Sequence, residues 1–167
     1  MMRQTKLILT IISILLAALM LTGCKWGSSD PLKPDYPVPP VDSNAESMGG
    51  DETKLESPEG GGAVGLIYTT TAELSLSSGS ISMLFGNPKR SNQNMTVAIS
   101  VQDIIIAESG LLEPGNRIST LSLNRAGADA MVAEGVYNAK FVVEFYDADS
   151  GEKAMINTEI PITVTAR

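Results

Sequence analysis

The sequence predicts an all-β domain, an antiparallel β-sandwich of about seven strands, and three observations carry that expectation. From Val64 onward, apolar residues recur at every second position rather than at helical spacing. Turn-forming residues interrupt these runs every eight to twelve positions, the spacing of short strands in a sandwich. The region 63–167 spans about 105 residues, enough for one small core and too few for a second.

Taken in order, Leu66 to Leu76 is rich in Thr and Leu and supplies one or two strands, with Gly65 or Ala72 marking a break. Ile81, Met83 and Phe85 alternate with Ser82 and Leu84, and Gly86-Asn87-Pro88 ends that strand because proline cannot continue a ladder. Met95, Val97, Ile99 and Val101 alternate with Thr96, Ala98, Ser100 and Gln102, the clearest half-buried strand in the chain. Asp103 interrupts, and Ile104 to Ser109 forms a short strand apolar on both sides. Glu113-Pro114-Gly115-Asn116 is a type II turn signal, with proline at the second position and glycine at the third. Ile118 to Leu123 follows as a strand, and Ala126 to Ala133 reads as a short helical turn or a loop. A long strand then places Tyr137, Ala139, Phe141, Val143 and Phe145 on one face. The last strand carries Ala154, Ile156, Thr158, Ile160, Ile162 and Val164 on one parity. Pro161 makes it an edge, or marks a bulge, at that position, and the length from Lys153 to Thr165 offers an edge for pairing with a partner.

Gly135-Val136-Tyr137, entering that long strand, resembles the tyrosine corner of Greek-key immunoglobulin-like domains, in which the hydroxyl bonds backbone a few residues upstream. The resemblance implies an immunoglobulin-like sandwich. There is neither a cysteine pair nor a tryptophan in the domain, so it departs from the antibody-type pattern. Asn87-Pro88, Ser91-Asn92-Gln93, Ser109-Gly110-Leu111 and Pro114-Gly115 together resemble small secreted proteins of unknown role from Gram-positive bacteria. That likeness implies no activity.

The other end of the chain gives an address. Arg3 and Lys6 precede an apolar run from Leu7 to Met20, the layout of a secretory signal peptide. The run from Leu7 to Leu21 has 15 residues, whereas crossing hydrocarbon takes about 20. Leu21-Thr22-Gly23-Cys24 resembles the lipobox of bacterial lipoproteins. The resemblance implies that the Cys24 sulfur takes a diacylglycerol, that cleavage frees Cys24 as the new N-terminus, and that a third acyl chain such as palmitate follows. Two or more chains are what stable anchoring requires. The expected location is the extracytoplasmic face of a cell membrane, held by lipid. Cys24 is the sole cysteine, so the domain has no internal disulfide, and acylation removes a free thiol.

The organisation is then a signal peptide over 1–23, a lipidated Cys24 with a linker over 24–62, and the sandwich over 63–167. Residues 25–62 hold six of the nine prolines and carry eight acidic against three basic residues, with no apolar periodicity. Such composition predicts an extended, disordered tether. As a coil its 38 residues span roughly 35 Å, and as polyproline at most about 120 Å. Trp26, two residues past the acylated cysteine, suits the lipid–water interface.

Removing residues 1–23 takes away 2 of the 12 basic residues and none of the 19 acidic ones, leaving net −9. That sign excludes nucleic acid as a partner and gives no attraction to anionic headgroups. The absence of histidine excludes Ser-His-Asp and Cys-His catalysis and every His-liganded metal site. Glu144, Asp147, Glu152 and Glu159 gather near one hairpin, but strand faces and solvent account for them, so no enzyme is expected.

Two stretches could carry chemistry. Gly86 to Asn94 is an end loop dense in amides, with two cations in an acidic protein, so Asn87, Lys89, Arg90, Asn92 and Asn94 are the candidate binding residues. An envelope protein or an anionic wall polymer is the expected partner. Asp147-Ala148-Asp149-Ser150-Gly151-Glu152 resembles a calcium loop, with Asp147, Asp149 and Glu152 as ligands. Its glycine comes one place early and no distal glutamate completes it, so a plain hairpin turn is the simpler reading. The leading expectation is a lipid-anchored, non-enzymatic interaction module of the envelope, with no cofactor. A structural spacer or assembly subunit and a small carboxylate-dependent hydrolase are the alternatives.

Overall fold

Alternating apolar residues build one continuous sheet of nine strands that curls over its own core. The structure, a computed structural model, describes residues 37–59 and 61–167. The chain divides into Met1–Asp35 and Tyr36–Arg167. The leader, Cys24 and Trp26 belong to the first unit and lie outside the described residues.

The strands are β1 (Glu46–Ser47), β2 (Ile67–Tyr68), β3 (Thr71–Ser75), β4 (Ser80–Asn87), β5 (Gln93–Val101), β6 (Ile104–Glu108), β7 (Asn116–Ser122), β8 (Gly135–Asp147) and β9 (Thr158–Ala166). One helix, α1 (Arg125–Ala130), lies between β7 and β8. One half of the sheet runs β7-β4-β3, with β2 also on β4, and the other runs β9-β8-β5-β6. A parallel pairing of β3 with β9 joins them, Thr71 opposite Thr163 and Leu74 opposite Ala166. The chain passes from one half to the other after β4, after β6 and after β7, which is the immunoglobulin-like Greek key. The break between β2 and β3 falls at Thr69–Thr70 rather than at Gly65 or Ala72.

The core lies between the two halves. Leu74, Ile81, Phe85 and Ile118 face Met95, Val97, Ile99, Phe141, Val143 and Val164, all essentially solvent-free. The Phe141 ring stands edge-on to Phe85 at 5.4 Å and to Tyr68 at 6.5 Å. The tyrosine corner is present: Tyr137 Oη donates to the Ala133 carbonyl at 2.8 Å. Tyr137→Phe is expected to cost about 1 kcal/mol, the net worth of one such bond, read as a lower urea midpoint at unchanged slope.

Turn chemistry follows the sequence. Asn116 N donates to Glu113 O at 3.1 Å across the Pro114-Gly115 turn, and Gly115 takes φ 96°. Gln102 and Asp103, at φ 50° and 63°, form the tight β5–β6 connection with both central residues left-handed.

The two ends of the strand order each have a cover. Beside β6, Asn124 caps α1 by accepting from Gly127 N at 2.7 Å, while its Nδ2 donates to Ile105 O and its amide to Ile106 O, both 2.9 Å. A Cβ at Gly127 would collide with the Ile106 carbonyl, so only glycine lets the helix lie this close to the strand. Beside β7, Glu46 and Ser47 pair with Arg117 and Asn116.

The final strand corrects the expectation of an available edge. From Thr163 onward β3 pairs with it, so only the segment Thr158–Ile162 is open on that side. Thr163 N donates to Thr70 O at 2.9 Å, and amides two residues apart share a side, so the donor that Pro161 lacks belongs on the open edge. The bridge of Tyr146 to Lys153 and the pairing of Val143 with Thr158 differ in register by two residues. That bulge turns Met155 and Ile156 outward, which is why Ile156 leaves the core despite its parity.

Candidate functional site

The register of β5 and β8, Gln93 opposite Asp147, puts the 88–92 loop and the 147–152 hairpin at the same end of the sandwich. The crossing from β6 to β7 joins them there, because Asn116 pairs with Asn87 and Leu112 with Met95. This pole also holds residues 38–57, the second half of the segment predicted as a disordered tether. They form a strap bound to the body along its length.

The strap begins at the crossing, where Leu111 N donates to Pro40 O at 2.8 Å, Asp42 N to Leu111 O at 3.0 Å and Gly110 N to Asp42 Oδ2 at 2.8 Å. It continues through β1, where Met48 N donates to Gly115 O at 2.8 Å and Arg117 pairs with Glu46 at 3.4 Å. It then runs along the loop. Glu52 Oε2 accepts from Arg90 N at 3.1 Å, Lys54 Nζ donates to Ser91 O at 2.7 Å, and Leu55 N donates to Arg90 O at 2.7 Å. Lys89 Nζ reaches Gly50 O, and Asn92 Nδ2 reaches Ser57 Oγ. Composition misled here for a physical reason. It measures how much apolar surface a segment can bury, and the described residues from Gly49 to Gly61 are all exposed. Their order comes instead from backbone groups that the loop and the crossing leave unpaired.

The five candidate binding residues are therefore not alike. Asn87 is fully buried at the end of β4, donating through Nδ2 to Gln93 O and Leu112 O, both at 2.9 Å, so it is a brace and not a contact residue. Asn92 fastens the returning chain, its Oδ1 accepting from Ala63 N at 2.7 Å. Asn94 sits in β5, opposite Tyr146 on the outer face. Lys89 and Arg90 remain at the tip, joined by Lys54, which loop composition alone could not have brought in. Among the described residues, Arg117, Lys140, Lys153 and Arg167 each have a carboxylate partner. Lys54, Lys89, Arg90 and Arg125 have none, although acids exceed bases in the chain, and the first three of these gather at this one loop.

At the neighbouring hairpin, Asp147 Oδ1 accepts from Asp149 N at 3.1 Å and from Ser150 N and Ser150 Oγ, both at 2.8 Å. The backbone closes the turn, Gly151 N to Asp147 O at 3.0 Å. Asp147, Asp149 and Glu152 do not converge, and no cluster of three such ligands forms among the described residues. The bonds from the Ser150 amide and hydroxyl hold the Asp147 carboxyl below its ordinary range. A lowered carboxyl stabilises the turn above its unfolded pKa and loses that contribution as pH falls through the folded value. Protection of the Ser150 amide, taken relative to its intrinsic exchange rate, should accordingly fall below about pH 4, while core amides stay protected. On the outer face, Glu159 and then Asp103 raise the pKa of Lys140, a surface contribution lost only at alkaline pH.

A cleft of about 510 Å³ opens on the outer face of β5, β6 and β8, lined by Pro39, Pro40, Ala98, Val142, Glu144 and Tyr146 among others. Glu144 is already engaged, by Lys153 Nζ at 2.7 Å and Tyr146 Oη at 3.1 Å.

No protein family matches the chain. No curated protein matches it either. Among solved structures, it is similar to AggA, the major subunit of aggregative adherence fimbriae type I from Escherichia coli, at 9% identity and a TM-score of 0.34, over 70% of this chain and 100% of that one.

Proposed function

We propose that this protein is a lipid-anchored, non-enzymatic interaction module on the extracytoplasmic face of a bacterial membrane, which engages an envelope protein or an anionic wall polymer through the strap-and-loop pole. The observation that carries this reading is the set of three cations, Lys54, Lys89 and Arg90, left without carboxylate partners in an acidic chain. Of the four described cations without a carboxylate partner, three gather at this loop, where they are available for an outside anion.

The test is retention. The lipidated protein, solubilised from its own membrane, should hold one envelope protein or polymer, and Lys89→Glu with Arg90→Glu should release it. Retention unchanged by that pair of substitutions overturns the reading. A second reading, an assembly subunit or spacer, is favoured by Met155 and Ile156, exposed at 103% and 77% beside the open part of β9. Self-association lost on Met155→Ser with Ile156→Ser, without any other component, would support it.

A further inference from the structure

We propose that the backbone and cations of the loop Lys89–Asn92 form a binding site for an extended acidic peptide segment, and that the strap residues Gly50–Ser57 fill it as the chain's own displaceable ligand. The inference rests on the interaction-module reading and deepens it by naming the ligand chemistry. Three features point to a peptide-like occupant. The strap meets the loop through its main chain, Leu55 N to Arg90 O at 2.7 Å, as an added strand would. It presents a carboxylate where an acidic ligand would, Glu52 Oε2 on Arg90 N at 3.1 Å. Around that contact stand Lys54, which reaches the Ser91 carbonyl at 2.7 Å, and Lys89, which reaches the Gly50 carbonyl. Both ammonium groups thus rest on neutral carbonyls, although Asp51, Glu52 and Glu56 are close in sequence. Of the two, Lys89 stays with the loop when the strap leaves, and an incoming carboxylate would satisfy it better, since a charge-assisted bond is roughly twice as strong as a neutral one.

The strap is also built to leave. From Gly49 to Pro58 every residue is exposed, so its release uncovers little apolar surface, and each exposed hydrogen bond is worth only about 0.5–1.5 kcal/mol. Removing it breaks no strand of the sandwich. While it is seated, an outside ligand binds with its affinity reduced by the fraction of molecules that are open, so weakening the strap should tighten binding in trans.

The experiment uses residues 24–167 with Cys24→Ser and a polyglutamate peptide as probe, titrated at low and at moderate salt. Leu55→Pro together with Glu52→Gln removes the amide and the carboxylate that hold the strap without touching the sandwich. That variant should bind polyglutamate at least about tenfold more tightly than the parent. Adding Lys89→Ala and Arg90→Ala should abolish the gain, and salt should weaken it. Amide exchange at the Arg90–Asn92 loop verifies that the strap has been released. Equal affinity of the parent and the released variant, or no binding by a variant shown to be released, overturns the inference. So does equal binding of polylysine. Retention of the envelope partner by the lipidated protein is read separately, so these failures leave the interaction-module reading standing, whereas retention unchanged by Lys89→Glu with Arg90→Glu sinks only that reading.

Discussion

Phe141→Ala should lower the unfolding free energy by about 3–5 kcal/mol, the cost of truncating a fully buried aromatic whose cavity the surroundings cannot refill. Phe141 sits where both halves of the curled sheet meet: opposite Ile99 in β5, opposite Ile160 in β9, and edge-on to Phe85 and Tyr68. Removing the ring strips contacts from four elements at once. The stability of a domain this size is about 5–15 kcal/mol in total, so the variant should be marginal at 37 °C. In urea its midpoint should fall with little change in slope. A loss below about 1 kcal/mol would mean that Phe141 is not at the centre of the core.

Asn87→Leu is the second large effect, and its size comes from opposing contributions. The substitution keeps the branched shape and heavy-atom count but removes the donor that serves the carbonyls of Gln93 and Leu112 in the interior. Each orphaned carbonyl costs about 1–3 kcal/mol. Against this, Asn87 Oδ1 is itself buried without a partner, and leucine relieves that penalty of similar size. The net expectation is a loss of about 2 kcal/mol. Retention of an envelope partner by the folded fraction should not change, because Asn87 is not at the surface. A variant as stable as the parent would show that the two carbonyls find other donors.

How much of this was legible in the sequence varies with the kind of signal. The alternation in β5 and β8 fixed which residues face inward, and Gly135-Val136-Tyr137 marked a corner whose hydroxyl bond is made four residues upstream. Local turn chemistry at Pro114-Gly115 was equally readable. What failed was non-local. Pro161 marked an edge at its own position, but the length from Lys153 to Thr165 was read as open for pairing, yet β3 covers that strand from Thr163 on, a pairing between residues far apart in the chain. Asn87 looked like a surface amide because polarity says nothing about which neighbours will supply acceptors. The strap was invisible for the same reason: its partners, Arg90, Ser91, Leu111 and Gly115, lie outside it in sequence.

The seated strap is the claim on which both the composition of the pole and its proposed ligand depend. Amide hydrogen exchange on residues 24–167, followed at Asp42, Met48 and Leu55, tests it most directly, since these amides donate to Leu111, Gly115 and Arg90. Protection above that of the neighbouring exposed amides is expected, with Leu55 opening at lower free energy than Met48 because only polar contacts hold it. Exchange of all three at random-coil rates would contradict it, and the segment would be the free tether that its composition suggests.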